Sequence, residues 1–229
     1  MQSADAKEVI GRAKDILMDK DGVFWSNASI QDWMNESVRL YMQLKPENFA
    51  RQYAFTVDQE SATQSLPDSV MVFIRALRNT NGPAVTRAEL DEIAALDRRW
   101  MDRKSRFVIN YCYNPEASLR TFQIYPRPTA RDASLELSCV FEPEPCDVFQ
   151  ADGKPNPAPR VTTIPVMDVG SVVDFVLGRA HQQQHEAESK MVADMYFRSF
   201  FTKLGMPKEA ELFLDRGRRP FSKTTGGAE

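Results

Sequence analysis

The chain has 229 residues and a formal net charge of −3, with 42% hydrophobic and 27% charged residues, so a wholly disordered chain is excluded. No apolar run approaches the roughly 20 residues that cross a bilayer, and the N-terminus lacks the basic and apolar regions of a signal peptide. The three cysteines have no CxxC spacing, which favours neither a disulfide scaffold nor a zinc ribbon. The mild acidity is not that of a general nucleic-acid binder, and we expect a soluble protein made in a reducing cytoplasm, without membrane contact.

Two N-terminal segments have the periodicity of amphipathic helices. The first is predicted over residues 3–19 and is ended by Asp21-Gly22. The second is predicted over residues 29–44, with Ser29 as its cap and Pro46 after its end. Because the connector between them is short, we expect an antiparallel helix pair.

The middle of the chain, residues 51–165, is predicted to be a mostly antiparallel β-region. Alternating or β-branched runs predict strands near residues 53–57, 70–77, 107–113, 121–125 and 135–141. A capping box at Thr86 and Glu89 predicts a helix over residues 86–103 inside this region. The short connections between the last three runs predict a meander.

Residues 143–160 contain prolines 143, 145, 155, 157 and 159, which predicts a long exposed loop. An apolar stripe beginning at Val169 then predicts one long helix over residues 168–204, about 50 Å in length and ended by Gly205. Met191, Met195, Tyr196 and Phe200 are assigned to its apolar surface. This helix is the natural partner for the N-terminal pair.

The last segment, residues 206–229, is too short and polar for a core of its own, so we expect a mobile arm when it is free. It contains apolar residues among basic ones. Bound to another subunit, it would anchor by aromatic side chains and pair its arginines with acidic groups. The candidate partner-binding residues are Phe213, Leu214, Arg216, Arg218, Arg219 and Phe221.

These elements predict an α+β fold. The N- and C-terminal helices form a helical bundle that carries the inserted β-region. Residues 1–205 are expected to be one domain, and residues 206–229 the C-terminal arm.

No motif predicts a metal or cofactor site. His181 and His185 lie four residues apart and, with Glu188, have helical spacing for a metal, but the segment is Gln-rich and favours a solvated surface. The stretch from Asp19 to Gly22 resembles the opening of a calcium loop, yet its twelfth position is Ile30 rather than an acid. A helix end followed by a turn is the better interpretation.

The sequence predicts no catalytic site either. It contains no GxSxG, P-loop or GxGxxG motif, and Cys112 is interpreted as a buried hydrophobe in a strand. Asp91 and Glu92 are interpreted as solvated helix residues. The basic run from Arg98 to Arg106 is interleaved with acids, which favours ion pairs over DNA contact.

Several stretches, read in order, carry a family resemblance. They are Asp19 to Trp25 (DKDGVFW), Ser65 to Pro67 (SLP), Arg75 to Asn79 (RALRN), Leu96 to Trp100 (LDRRW), Asn114 to Pro126 (NPEASLRTFQIYP) and Asp174 to Ala180 (DFVLGRA). Together they resemble the head-to-tail adaptor proteins of short-tailed bacteriophages, over about residues 5 to 205.

The resemblance implies a structural virion protein with no catalytic, cofactor or metal site. Such adaptors form a ring, here expected to contain twelve subunits, below the portal. The ring extends the DNA channel and contacts the tail nozzle and fibres, and genomic DNA passes through it without sequence-specific binding. The location implied is the head-tail junction of the virion, after assembly in the host cytoplasm.

Two other functions are left open at this stage. One is a tail-associated peptidoglycan hydrolase that uses the acids of the predicted helix 86–103, which zymography would reveal. The other is a DNA-binding packaging factor, which would show salt-dependent binding to DNA.

Overall fold

The computed structural model describes residues 3–165, 168–184 and 186–218. Within them the chain forms helices α1 (Ala6–Ile16), α2 (Asn27–Leu44), α3 (Leu90–Leu96), α4 (Val169–Gln182), α5 (Ala187–Lys203) and α6 (Pro207–Arg218), and a 3₁₀ helix at Pro46–Asn48. The strands are β1 (Ala4–Asp5), β2 (Arg51–Thr56), β3 (Thr63–Ser65), β4 (Val70–Asn79), β5 (Thr86–Arg87), β6 (Lys104–Ser105), β7 (Asn110–Cys112), β8 (Thr121–Tyr125), β9 (Arg127–Pro128), β10 (Ser134–Phe141) and β11 (Thr163–Ile164). The predicted mixed α+β class is confirmed.

The described residues fall into two compact units. The helical unit contains the residues up to Arg39 and those from Glu144 onward, and the β unit is Leu40–Pro143. The chain therefore passes into the β unit within α2 and leaves it after β10. Residues 144–165, which we predicted to be part of the β-region, belong to the helical unit.

Helices α4 and α5 form an antiparallel hairpin at the centre of the helical unit. Almost every residue of α4 from Ser171 to Ala180 is buried. The Phe175 ring contacts Phe197 and Phe200 of α5, with ring centroids 5.5 and 5.2 Å apart. Gly178 allows the closest approach, because a Cβ there would lie 2.8 Å from the Phe197 ring.

This hairpin corrects the prediction of one helix over residues 168–204. The helical period continues through the Gln-rich stretch, so the pattern alone gives no reason for a break. Folding back allows the stripe of α4 and that of α5 to bury each other, and tertiary packing decides the break. Helix α5 ends at Lys203, and Gly205 has the positive φ (71°) expected of a C-terminal stop.

Helix α1 packs chiefly on α4 rather than forming the predicted pair with α2. It begins after Asp5, whose carboxylate accepts the N–H groups of Lys7 and Glu8. It ends at Ile16, earlier than predicted, because Met18 takes a left-handed conformation (φ 55°). The residue that ends the helix is therefore Met18 and not Gly22.

Helix α2 begins two residues before the predicted start. The hydroxyl of Ser26, and not that of Ser29, caps it by accepting the N–H of Ser29 at 3.1 Å. Farther along, Glu36 makes a bidentate ion pair with Arg179 of α4, whose guanidinium also lies 5.3 Å from the centre of the Phe175 ring. This contact joins α2 to the central hairpin.

Helix α2 also holds the proline-rich loop through two amide side chains. Gln31 donates to the carbonyl of Phe149 at 3.1 Å and accepts its N–H at 2.9 Å. Asn35 makes the same pair of bonds with Cys146, at 3.0 and 2.9 Å. The two amides act as a strand edge would, and this amide clamp gives the loop a fixed place on the helix.

The proline-rich loop is largely exposed, as predicted, but buried side chains and hydrogen bonds hold it in place. Cys146 and Val148 are buried. The Asp147 carboxylate accepts the N–H groups of Arg160 and Val161, and the first of these bonds is 2.8 Å long. The N–H of Val161, more than any other group, holds the pKa of Asp147 below its usual range.

The β unit contains two main sheets with a shared apolar core. In the first, β10 lies between β2 and β4 and is antiparallel to both. The order of the second is β3-β8-β7-β5, with a parallel β5–β7 pair. Phe73 of the first sheet stacks on Phe122 of the second, with ring centroids 5.1 Å apart.

Two predictions for this unit are wrong in part. The strands are not a simple meander, since β10 returns between two earlier strands and β5–β7 and β6–β9 are parallel. Helix 86–103 shortens to α3, because the backbone of residues 86–88 pairs with the strand beside it: the N–H groups of Thr86 and Ala88 donate to Ile109 and Tyr111. Those bonds replace the predicted first turn.

Candidate interaction surfaces

The connector between α1 and α2, residues 17–26, presents large apolar side chains to solvent. Val23 and Phe24 are 78% and 79% exposed, and Met18 is 90% exposed. Ile16, at the end of α1, is also exposed. Contiguous exposed apolar side chains are characteristic of protein interaction sites.

A buried carboxylate gives the connector its shape. Asp19 is only 5% exposed, and its two oxygens accept the N–H groups of Val23, Phe24 and Trp25 at 2.8, 3.0 and 2.9 Å. The bond from Trp25 contributes most to lowering the pKa of this carboxyl below its ordinary value. The connector is therefore a hydrogen-bonded loop that holds Val23 and Phe24 outward.

The same bonds bear on the calcium-like opening of this stretch. Both oxygens of Asp19 already accept backbone N–H groups, so the carboxylate serves the turn of its own chain. Gly22 has a positive φ (71°) within the connector. The structure agrees with the interpretation of a helix end followed by a turn.

A second apolar surface lies on the outer face of α5. Met191 and Met195 are 71% and 67% exposed, and with Asp194 and Arg198 they line an open groove of about 280 Å³, the Met groove. Arg198 is ion-paired with Glu211 of α6 at 3.3 Å. The sequence pattern places both methionines on one apolar surface with Phe200, but Phe200 is buried, whereas the methionines are exposed.

The residues proposed for the C-terminal arm are not together on one surface. Leu214 is buried, and the ring of Phe213 lies 5.1 Å from that of Phe197 and 5.4 Å from that of Phe201, so α6 packs on the α4–α5 hairpin. Arg216 and Arg218 lie within α6. Arg219 and Phe221 lie outside the described residues. Phe213 and Leu214 therefore serve the core of their own chain.

The histidine pair is only half described, because His185 lies outside the described residues. The ring of His181 stacks on Tyr196, with centroids 5.7 Å apart and an angle of 12° between the rings. Glu188 is exposed on α5. Among the described residues, no cluster of three or more His, Cys, Asp or Glu side chains has the geometry to hold a metal ion.

Two residues of the basic run in the β unit make ion pairs with acidic residues. Arg103 pairs with Asp97 at 3.7 Å, and Lys104 pairs with Glu60 at 3.9 Å. Asp91 and Glu92, the carboxylates considered for hydrolysis, are exposed neighbours on the short helix α3. Adjacent positions on a helix do not face each other, so these two do not form a catalytic pair.

All three cysteines are buried free thiols. Burial raises the pKa of Cys112 and Cys146 to about 11 and that of Cys139 to about 12. A thiol with such a pKa is a poor nucleophile at neutral pH. The interpretation of Cys112 as a small buried hydrophobe agrees with the structure.

Sequence reasoning did not identify either apolar surface, although each has a signal. The connector contains three consecutive large apolar residues, Val23 to Trp25, directly after the polar run Asp19 to Gly22. In α5 the buried stripe runs through Ala193, Phe197, Phe200 and Phe201, which leaves the two methionines off the stripe.

A protein-family model described as "SU10 adaptor protein" matches residues 4–222. A search of curated proteins found no match. Within the part of the chain that the structure describes, no helix has the length and apolar character needed to span a membrane.

Proposed function

The chain belongs to the SU10 adaptor protein family, a family of structural bacteriophage adaptors, and from this premise we propose that it forms a ring below the portal at the head-to-tail junction of a virion. The observation that carries the proposal is the family match over residues 4–222. In this role the ring extends the DNA channel, and tail nozzle and fibre proteins dock on it. A ring of twelve subunits, assembled in the host cytoplasm, is the form we propose.

The exposed surfaces of the helical unit support an assembly role. A cyclic ring uses heterologous interfaces, so each subunit needs two different contact faces. The connector and the Met groove are two apolar surfaces of different shape on one compact unit. A formal net charge of −3 also suits a channel that DNA crosses without adhering to it.

The test is electron microscopy of this chain mixed with the portal protein of the same phage, with portal alone as the control. We expect a ring of added density on one face of the portal. Native mass measurement of the same mixture should show several copies of this chain on each portal. A mixture in which the chain stays monomeric at micromolar concentration would overturn the proposal.

The C-terminal arm remains part of this proposal, in a reduced form. Residues after Arg218 are proposed to contact portal or tail subunits, whereas Phe213 and Leu214 belong to the fold. The deletion that tests the arm should therefore begin after Arg218 and not after Gly205, since the longer deletion also removes α6. Unchanged binding to portal and tail proteins after the short deletion would show that the arm is dispensable.

A further inference from the structure

We propose that the connector of one subunit docks in the Met groove of a second copy of this chain, with Phe24 seated between Met191 and Met195. The inference rests on the proposed ring, since it assigns the residues of its subunit contact. It joins two surfaces that a single chain presents separately. The contact is heterologous, because the two surfaces differ.

The first argument is the fit between the two surfaces. A groove of about 280 Å³ lies at the small end of protein binding pockets, where one or two side chains suffice to fill it. The protruding Phe24 and Val23 are of that size. Thioether sulfurs contact aromatic rings favourably, and methionine side chains adapt to the shape of what enters between them.

The second argument is that the connector is already in a fixed conformation. The three bonds to Asp19 hold the backbone from Val23 to Trp25 in place. Docking then orders few additional groups, and the entropy lost on association is smaller than for a flexible loop. The buried Asp19 carboxylate thus holds Val23 and Phe24 exposed in a conformation that is ready for docking.

The third argument is charge. Asp21 is exposed and lies three residues before Phe24 in the connector, and Lys190 is exposed and directly precedes Met191 in α5. Neither makes an ion pair with another described residue. Opposite charges at the rim of an apolar contact favour one register and speed association.

The fourth argument is placement within the helical unit. The connector follows α1, and the Met groove lies on α5, two helices that each pack on α4. The connector that follows α1 and the outer face of α5 are therefore separate surfaces. A copy that offers its connector to one neighbour still has its groove for another, which is the arrangement that a ring requires.

The experiment is cross-linking between single-cysteine variants that leave Phe24 and both methionines intact, Asp21→Cys mixed with Lys190→Cys, in the full chain, with and without portal. The native thiols are buried with raised pKa values, so they do not compete. A short bismaleimide should join the mixed pair into a heterodimer, while each variant alone stays uncross-linked. A chain with both substitutions should give a ladder of multimers.

The matched control is Asp21→Cys mixed with Leu119→Cys, because Leu119 is an exposed residue of the β unit. Cross-linking of the control as strongly as of the test pair would overturn the proposal. So would failure of the test pair to cross-link both in solution and in rings on the portal. A specific heterodimer from a chain that never binds portal would support this contact and overturn the proposed function instead.

A second measurement distinguishes this contact from one between two connectors. Phe24→Asp and Met195→Asp should each weaken self-association by about 30-fold, as expected for the loss of a central anchor. Mixed together, they retain one intact connector and one intact groove, so they should form 1:1 dimers and nothing larger. Self-association of Met195→Asp at the wild-type level would show that the groove is not the partner.

Discussion

Asp19 shows how a single carboxylate determines the shape of a surface. It is buried, yet its charge is stabilised by three backbone N–H groups, which is why its pKa is lowered from the ordinary value of 3.8. A lowered pKa means that the ionised carboxylate stabilises the folded connector. This contribution is present above the unfolded pKa and is lost as the pH falls through the folded one.

We therefore expect Asp19→Asn to loosen the connector at neutral pH, because an amide offers one acceptor oxygen in place of two. Hydrogen exchange at Val23, Phe24 and Trp25 should become faster than in the wild type. In the wild type, protection of these amides should be constant at neutral pH and fall below about pH 4. The control is Asp21→Asn, an exposed neighbour; if it has the same effect, the role assigned to Asp19 is wrong.

Two glycines give opposite predictions for the same substitution. Gly178→Ala places a methyl group 2.8 Å from the Phe197 ring in a packed core, so it should destabilise the chain by about 1–3 kcal/mol. Gly11→Ala, in helix α1 with nothing within 4 Å of the new methyl group, should stabilise it by about 0.5–1 kcal/mol. Urea unfolding measures both, and equal effects would contradict the packing described for the hairpin.

At the scale of elements, the amide clamp replaces regular secondary structure. The prolines limit how far this loop can pair as a strand, since proline lacks an N–H group, but its remaining backbone groups still need partners. Side chains one turn apart on α2 supply them. The loop is thus held by a helix face rather than by a strand.

Replacing Gln31 by Met tests this clamp. The substitution keeps the length of the side chain and its helix propensity but leaves the N–H and carbonyl of Phe149 without their partner. We expect a loss of about 1–3 kcal/mol in unfolding free energy. Gln43→Met, at an exposed position of the same helix, should change stability by less than about 0.5 kcal/mol. Equal losses in the two variants would mean that the clamp contributes nothing.

The comparison of elements shows what periodicity can predict. Strand faces such as Leu135, Leu137 and Cys139 were predicted correctly, because alternation in one strand is a local property. The hairpin of α4 and α5 was not, since both halves continue one helical period and the break is decided by how they pack. Helix 86–103 failed for a similar reason, because pairing of Thr86 with a distant strand overrides a local capping signal.

The candidate surfaces were harder to predict than the fold. The exposure of Phe24 and Met195 depends on the tertiary structure, since the same residue types on the buried face of a helix would belong to the core. The order of the short sequence stretches predicted an adaptor family, and the family match over residues 4–222 confirms it. The exposed residues of the two surfaces can be identified only when the buried stripe of α5 and the hydrogen bonds of Asp19 are known.

At the scale of the whole chain, the described residues form two compact units, each with buried apolar residues of its own. Both apolar surfaces and helix α6 belong to the helical unit, while the β unit has an extensive core of its own. A unit with a buried core of its own is expected to open locally, without unfolding of the whole chain. A destabilising substitution in the core of one unit is then expected to increase hydrogen exchange chiefly in that unit.

Two buried leucines allow a matched test of this independence. Leu177 lies in α4 and Leu137 in β10, and both are almost completely inaccessible to solvent. Each change to alanine should cost about 2–5 kcal/mol, because it leaves a cavity in a packed core. Native-state hydrogen exchange should show faster opening chiefly in the helical unit for Leu177→Ala and chiefly in the β unit for Leu137→Ala. If either substitution accelerates exchange equally across all described residues, the chain opens as one cooperative body. Substitutions in the core of the helical unit would then also lower the stability of the β unit.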